Sequence, residues 1–133
     1  MKIIGVGVDI VDNTRINKLI KNKKFIERIF SNKEIIQAKK IKNKTNYFSK
    51  RFAAKESLSK AIGTGFRNNL NFKDISIVNN KHGKPSYKLN NKVKKLIYSK
   101  LSVKKIKISL SLADEKNYSI AFSVIHKWLV KNQ

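Results

Sequence analysis

The segment from Ile106 to Leu112 alternates strictly between apolar and polar side chains, and this period of two constrains the fold more than any other feature. Successive side chains of a β-strand point to opposite faces, so the pattern predicts a strand with one apolar and one polar face. The apolar side chains are Ile106, Ile108, Leu110 and Leu112, and the polar ones between them are Lys107, Ser109 and Ser111. A turn at Asp114–Asn117 and a long strand at Tyr118–Val130 follow, which together predict an antiparallel hairpin.

Helices and a second hairpin are predicted upstream of this strand pair. Asp12-Asn13-Thr14 and Ser31-Asn32-Lys33-Glu34 both have the composition of helix starts, the second with the spacing of a capping box. The predicted elements are a buried strand at Ile3–Val11, a helix at Arg15–Ile29 interrupted by the basic run Lys21–Lys24, a short helix from Ser31 to Ile41, a loop at Asn43–Asn46, a helix at Tyr47–Ile62, a hairpin of Ile75–Val78 with Tyr87–Leu89, and a helix at Asn91–Leu101. This order indicates an α+β fold, with mixed helices packed on a mainly antiparallel sheet, in one domain that spans residues 1–133.

Charge restricts the class of partner. The 133 residues include 31 Lys and Arg against 8 Asp and Glu, which gives a net charge of +23. Lys, Asn and Ile are abundant together, as they are in proteins encoded by A/T-rich genes, so the charge alone identifies no function. Such a charge nevertheless attracts anions, whether nucleic acid, an anionic membrane, an acidic protein or phosphorylated ligands.

Several classes of protein are disfavoured by composition. The sequence has no cysteine, which excludes disulfide bridges and thiolate metal sites. The apolar N-terminal run stops at Asp9 with no small-residue cleavage site beyond it, and no later run approaches the ~20 apolar residues of a membrane span. We therefore expect a soluble, cytoplasmic protein with no membrane partner. A small basic nucleic-acid-binding protein is the rival class, although no helix-turn-helix, RNP, KH or zinc pattern supports it.

Two acidic residues are conspicuous because they lie in apolar sequence. Asp9 lies at the end of the first strand, between Val8 and Ile10. It is either a functional carboxylate, a cap of the next helix or a solvent-facing strand residue. Glu56 lies on the apolar side of its predicted helix, and the alternative to a functional role is a surface pair with Lys60 at a spacing of four residues.

The sequence around these two residues resembles that of a known family. Gly7-Val8-Asp9 and the helix sequence Arg51–Lys60 (RFAAKESLSK) are similar to the two signature motifs of the phosphopantetheinyl transferases. In short form these motifs are G-x-D at a strand end and F-x-x-K-E-[SA]-x-x-K on a helix. The continuation into Ala61–Gly65, the segment Asn13–Ile16 and the turn Gly83–Pro85 resemble the small, carrier-protein synthase branch in particular. The resemblance covers essentially the whole chain and implies the single-domain fold of that family.

The resemblance also implies a reaction and a metal. Members of this branch transfer the 4'-phosphopantetheine group of coenzyme A to a serine of apo acyl carrier protein, for fatty acid biosynthesis, and release 3',5'-ADP. The matching carboxylates, Asp9 and Glu56, would hold Mg²⁺, which prefers hard oxygen ligands. Asp9, Glu56 and Lys60 would form the catalytic set, with Lys60 supplying positive charge to the phosphates.

Contacts to coenzyme A are implied for a wider set, which is Lys55, Lys60, Gly63, Gly65, Lys84, Pro85, Ser109 and Ser111. Alternatives stay open for most of them: a solvated or fold-supporting lysine at position 55, helix termination at the glycines, an ordinary turn at Lys84-Pro85, and a solvent-facing strand edge at the serines. The chain departs from the family at Leu112, where a His commonly follows the S-x-[ST] motif. The general base is therefore open between a water on the metal, Glu56 and His82, although we expect His82 and His126 to be a turn and a surface residue.

Partners and assembly follow from the resemblance alone. The carrier protein is acidic, and the positions expected to contact it are Arg15, Lys24, Phe25 and Arg28. Family members assemble as trimers with the cofactor in a cleft between subunits, so we expect a homotrimer. A transferase fold that binds coenzyme A without turnover is a further alternative, prompted by Leu112.

Overall fold

Strands and helices are interleaved along the chain in the computed structural model, which describes residues 1–63 and 70–128. The helices are α1 (Asn13–Leu19), α2 (Lys23–Ile29), α3 (Asn32–Ala38), α4 (Lys44–Ile62) and α5 (Asn91–Leu101). The strands are β1 (Lys2–Asp12), β2 (Ile75–Asn79), β3 (Pro85–Leu89), β4 (Ile106–Asp114) and β5 (Tyr118–Lys127), and a short 3₁₀ turn at Phe72–Asp74 precedes β2. The predicted α+β class is confirmed.

The main sheet has the order β1-β5-β4, and both pairings are antiparallel. The alternation predicted for β4 is confirmed, because Ile108, Leu110 and Leu112 face the core while Ser109 and Ser111 are exposed. This sheet therefore has one face on the core and one face directed outward.

The second hairpin is also confirmed. β2 and β3 pair antiparallel as a separate two-stranded sheet, joined by the turn at residues 80–84. The closing strand is shorter than predicted: β5 ends at Lys127, Trp128 already lies outside it, and the predicted end at Val130 falls outside the described residues.

Helix boundaries follow the capping side chains. The predicted interruption near Lys21–Lys24 is confirmed, because α1 ends at Leu19 and Asn22 caps α2 by accepting the N–H of Lys24 at 2.9 Å. The predicted capping box is confirmed as well: the Glu34 carboxylate accepts the Ser31 N–H at 2.8 Å, and the Ser31 hydroxyl accepts the Glu34 N–H at 3.3 Å.

α4 is the central helix of the molecule. It begins at Lys44 rather than at Tyr47, so the predicted loop at Asn43–Asn46 is wrong; Asn43 accepts the Asn46 N–H at 3.1 Å and so supplies a cap that starts the helix early. Phe48, Phe52 and Leu58 are at most 7% exposed, and burying a side chain of this size contributes about 1.5–3 kcal/mol. No helix of the described part of the chain has both the length and the apolar character needed to cross a membrane.

Candidate active site

α4 crosses β1 at unusually close range. A Cβ atom built on Gly7 would overlap the carbonyl oxygen of Ser57 and lie 2.8 Å from the amide nitrogen of Ala61. A Cβ on Gly5 would likewise overlap the carbonyl oxygen of Ala61. Glycine is therefore required here because the helix backbone occupies the space of a side chain. The glycine of the Gly7-Val8-Asp9 motif is a packing requirement that lets α4 approach the end of β1.

This approach brings Asp9 and Lys60 together. The Lys60 ammonium donates to Asp9 Oδ1 at 2.9 Å and to the carbonyl oxygen of Val8 at 3.1 Å. The Asp9 side chain is 15% exposed, whereas that of Lys60 is 53% exposed. Within the described chain, Lys60 pairs with Asp9 and forms no ion pair with Glu56, so the surface-pair alternative is wrong.

Glu56 belongs to the same site. It is half-buried one turn before Lys60 on α4. Burial raises the pKa of the Glu56 carboxyl, and the charge of Asp9 raises this pKa further, while Lys60 and Arg15 lower it. Two carboxylates, an ammonium and a guanidinium therefore act on one another at the crossing of α4 and β1. The structure brings together the three residues of the predicted catalytic set.

The residues present fit Mg²⁺. The donor set is two carboxylates with no nitrogen or sulfur ligand, and the described residues contain no cluster of three or more His, Cys, Asp or Glu side chains that would form a complete metal cage. Mg²⁺ is commonly held by one or two carboxylates together with substrate phosphates and water. The ammonium of Lys60 already occupies a cation position on Asp9. Asp9 and Glu56 are therefore suited to this ion when it arrives with a phosphate ligand.

Lys55 does not lie at this site. Its side chain is 0% exposed, and its ammonium donates to Glu34 at 2.8 Å, to the carbonyl of Phe72 at 3.0 Å and to the carbonyl of Ile75. Burial lowers the pKa of the Lys55 ammonium, and the neighbouring Glu34 charge opposes this effect. All three hydrogens of the ammonium are used inside the protein. The expected contact of Lys55 with the cofactor is wrong, and the fold-supporting alternative is confirmed.

The glycines and the hairpin turn occupy separate places. Gly63 ends α4 with φ of 89°, a left-handed conformation that favours glycine, and so terminates the helix. Gly65 lies outside the described residues. Lys84 and Pro85 lie at the β2–β3 turn, where the Lys84 N–H donates to the side chain of Asn80 at 3.0 Å. Lys84 is exposed and available to a ligand.

Ser109 and Ser111 lie on the sheet face directed away from α4. Both are exposed, and their β5 partners on that face are Val124 and Phe122. Within one chain they are therefore not brought to Asp9 and Glu56, which belong to the α4 side.

The histidines and Leu112 are as expected. Leu112 packs against the core on the α4 side of the sheet. His82 lies exposed in the β2–β3 turn, and His126 is a partly exposed strand residue.

The predicted carrier-binding residues divide into two groups. Arg15, Lys24 and Arg28 are exposed on α1 and α2, as expected for a docking surface. Phe25 is only 8% exposed, and its ring contacts those of Phe30 and Phe52 at centroid distances of 6.3 Å. The expectation that Phe25 contacts a partner is wrong, because it is a core residue.

Arg51 is a candidate ligand-binding residue that the sequence analysis did not single out. It is 6% exposed, its guanidinium lies 3.6 Å from the centroid of the Tyr47 ring, and it donates to Asn79 at 2.6 Å. Its buried Nε has no hydrogen-bond partner among the described residues. Lys33 and Lys50 line the same cavity of about 780 Å³. The spacing of Tyr47 and Arg51 by one helical turn was the available signal, and the free donor suits an anionic group.

Known proteins share both the sequence and the fold. Residues 5–123 match the family described as the 4'-phosphopantetheinyl transferase superfamily. The holo-[acyl-carrier-protein] synthase of Pelagibacter ubique is 55% identical over 127 residues, which cover 96% of this chain and 99% of that protein. The enzyme of the same name from Ehrlichia chaffeensis is 46% identical over 93% of this chain and 97% of its own length.

Two solved structures have the same architecture. The holo-[acyl-carrier-protein] synthase of Neisseria meningitidis superposes with a TM-score of 0.84 at 35% identity, covering 94% of this chain and 99% of that one. A holo-(acyl-carrier-protein) synthase of Bacillus anthracis, in complex with CoA (3',5'-ADP), gives a TM-score of 0.80 at 32% identity over 96% of this chain and 100% of that one. Since the family match spans the motif residues Gly7, Asp9 and Glu56, this chain belongs to the 4'-phosphopantetheinyl transferase superfamily.

Proposed function

We propose that this chain transfers the 4'-phosphopantetheine group of coenzyme A to a serine of apo acyl carrier protein and releases 3',5'-ADP. The observation that carries the proposal is the convergence of Asp9, Glu56 and Lys60 at the crossing of β1 and α4. These residues come from the two motifs of the family, and relatives at 55% and 46% identity bear the name of this activity.

Asp9 and Glu56 would hold the Mg²⁺ ion. When bound, this ion would neutralise negative charge on the pyrophosphate of coenzyme A and so make the phosphorus easier to attack. Lys60, at the exposed edge of the site, would bind the phosphate oxygens and stabilise the charge that grows on them during transfer. Most of the catalysis in such a transfer comes from positioning and from charge stabilisation of this kind.

The serine hydroxyl of the carrier must lose a proton as it attacks. Leu112 packs into the core and offers no basic group. Glu56 is the titratable residue of the described site whose pKa is raised, by burial first and by Asp9 second. This shift belongs to the metal-free protein, and a carboxylate that holds Mg²⁺ is a weaker base, so the shift does not assign the proton acceptor.

The nucleotide end of coenzyme A would occupy the cavity beside Arg51. Three cationic side chains, Arg51, Lys33 and Lys50, line this cavity, and its volume of about 780 Å³ is within the range of small-molecule sites. Asn80, which organises the turn that holds Lys84 and Pro85, also lines it. The turn expected to lie near the 3'-phosphate is thus at the rim of a cationic cavity.

The carrier protein would dock on the exposed basic residues of α1 and α2. Arg15 lies within electrostatic range of Glu56, so a partner bound there would be next to the reacting centre. Lys24 and Arg28 extend the basic surface along α2. Charge of this kind raises the rate of encounter with an acidic partner and weakens with salt.

A homotrimer would cover the outer face of the main sheet. Five apolar side chains on this face are between 40% and 61% exposed, which are Val6, Val8, Ile10, Ile120 and Phe122. A contiguous apolar patch of this kind is typical of an interface. Ser109 and Ser111 lie on the same face, so contact between copies would cover them as well. The number of subunits is carried over from the family, and light scattering of the wild type and of Val8→Asp, expected to be monomeric, tests it.

The reaction is tested by intact mass spectrometry of a carrier protein incubated with Mg²⁺, coenzyme A and the enzyme. We expect a mass gain equal to phosphopantetheine, which Asp9→Ala, Glu56→Ala and EDTA abolish. A matched control is Lys92→Ala, since Lys92 is 49% exposed and pairs with Asp74 on another part of the surface. No gain with several folded carrier proteins would exclude the proposed reaction and favour a fold that binds coenzyme A without turnover.

The rival class, a nucleic-acid-binding protein, gains no support from the family match. Melting temperatures separate the two, because coenzyme A with Mg²⁺ stabilises a transferase whereas bulk nucleic acid does not. A cytoplasmic location stays a prediction from the sequence.

A further inference from the structure

Lys60 pairs with Asp9, one of the two carboxylates that would hold the metal ion. Its ammonium lies 2.9 Å from Asp9 Oδ1 and 3.1 Å from the Val8 carbonyl oxygen, so two of its donors are used by the end of β1. The Asp9 side chain is 15% exposed and so has little access to solvent. The cation held by this carboxylate in the free protein is therefore the lysine itself.

The site needs such a cation because it holds two carboxylates. Asp9 and Glu56 lie within electrostatic range of each other, and like charges in a partly buried place destabilise one another. Water can solvate the Lys60 ammonium when it leaves Asp9, because its side chain is 53% exposed and extends from the last turn of α4. A divalent cation held by Asp9 would repel the nearby ammonium.

We propose that Lys60 is an exchangeable counter-ion: it neutralises Asp9 and Glu56 before the metal is bound and leaves Asp9 when a divalent cation takes its place. This inference rests on the proposed function, because it concerns the same two carboxylates. Lys60 then lowers the affinity of the free protein for the metal. Once released, its ammonium remains at the edge of the site and is available to phosphate oxygens. The metal is therefore favoured together with its phosphate ligand and disfavoured alone.

The test is the affinity of the protein for Mn²⁺ alone, without coenzyme A, from the electron paramagnetic resonance signal of the free ion. Lys60→Gln is expected to bind Mn²⁺ about 2- to 5-fold more tightly than wild type, which corresponds to the strength of a half-exposed ion pair. The matched control is Lys92→Gln, because Lys92 is 49% exposed beside an Asp74 side chain that is 19% exposed. Its affinity for Mn²⁺ should equal that of wild type. Equal or weaker binding by Lys60→Gln would overturn the proposal.

A second measurement separates exchange from a merely structural effect. Coenzyme A should raise the Mn²⁺ affinity of wild type by a larger factor than that of Lys60→Gln, because only wild type releases an ammonium to the phosphates. In the Asp9→Asn background, adding Lys60→Gln should no longer raise the Mn²⁺ affinity, since the carboxylate for which the lysine and the metal compete is absent. If coenzyme A raised the Mn²⁺ affinity of wild type and of Lys60→Gln by the same factor, the exchange would be contradicted. Circular dichroism of each variant verifies folding.

The outcome can be told apart from failure of the proposed function. Transfer by wild type together with unchanged Mn²⁺ affinity in Lys60→Gln would refute the exchange and leave the reaction standing. Tighter Mn²⁺ binding by Lys60→Gln without any transfer by wild type would support the exchange and refute the reaction.

Discussion

Lys55→Met tests how much of the fold depends on one buried ion pair. The side chains of Lys55 and Glu34 are 0% and 1% exposed, and their charged atoms lie 2.8 Å apart. In the variant the methionine fills much of the space, but the Glu34 carboxylate stays buried with only the amides of Ser31 and Ile77 as donors. Removing one partner of a buried pair costs about 3–5 kcal/mol, because an uncompensated charge remains. Two backbone carbonyls that accept from Lys55 also lose this donor.

The assay is urea unfolding followed by circular dichroism, at one protein concentration for all variants because assembly shifts apparent stability. We expect the free energy of unfolding to fall by about 3–5 kcal/mol and the melting temperature by roughly 10–20 °C. Lys92→Met is the control, since its ion pair with Asp74 is exposed on the lysine side and spans 3.5 Å. Loss of this exposed ion pair should lower the free energy of unfolding by less than about 1 kcal/mol.

A double variant identifies the ion pair as the cause. Glu34→Gln keeps an oxygen that can accept the helix-capping hydrogen bond but removes the charge that Lys55 neutralises. Lys55→Met combined with Glu34→Gln should therefore be at least about 2 kcal/mol more stable than the sum of the single losses predicts. Additive losses, or a cost below about 1 kcal/mol for Lys55→Met alone, would refute the reasoning.

Three further predictions concern the helix that carries the site. Gly7→Ala should lower the free energy of unfolding in urea by about 1–3 kcal/mol, because the added Cβ overlaps the Ser57 carbonyl and forces α4 away from β1. The same displacement should reduce transfer in the mass assay. Glu56→Gln should raise the melting temperature of the metal-free protein at pH 7–8 while abolishing transfer. Folding raises the Glu56 pKa, so the stability from the protonated form is lost as pH rises through that pKa, and the glutamine should flatten this part of the melting-temperature curve. Tyr87→Phe should cost about 1–3 kcal/mol in urea unfolding, because the buried hydroxyl donates to the Ala54 carbonyl at 2.5 Å; an unchanged midpoint would contradict this.

Local features were predictable because they depend on neighbours in sequence. The alternation of Ile106–Leu112 requires one buried face whatever the fold, and β4 has it. The capping box of Ser31 and Glu34 involves only four consecutive residues and was predicted from the sequence for the same reason. The start of α4 was predicted three residues too late, because Asn43 is a loop former by composition and a helix cap by its hydrogen bond.

The family motifs made Asp9, Glu56 and Lys60 predictable as a set, yet nothing local shows that Lys60 binds Asp9. The two residues are 51 positions apart, and they meet only because glycines at 5 and 7 let α4 lie directly on β1. Sequence neighbours specify which elements form, whereas the approach of two backbones depends on packing between distant segments.

Burial was the property that only the tertiary structure decided. Lys55 and Phe25 stand next to functional or basic residues in sequence, and both proved to be interior side chains. A lysine is buried only where an opposite charge and backbone carbonyls accept its hydrogens, and those groups come from α3 and from the segment before β2. The sequence by itself determined the elements, the motif and the chemistry of its donors; the tertiary structure decided which charges face each other, because these contacts join parts of the chain that no local pattern relates.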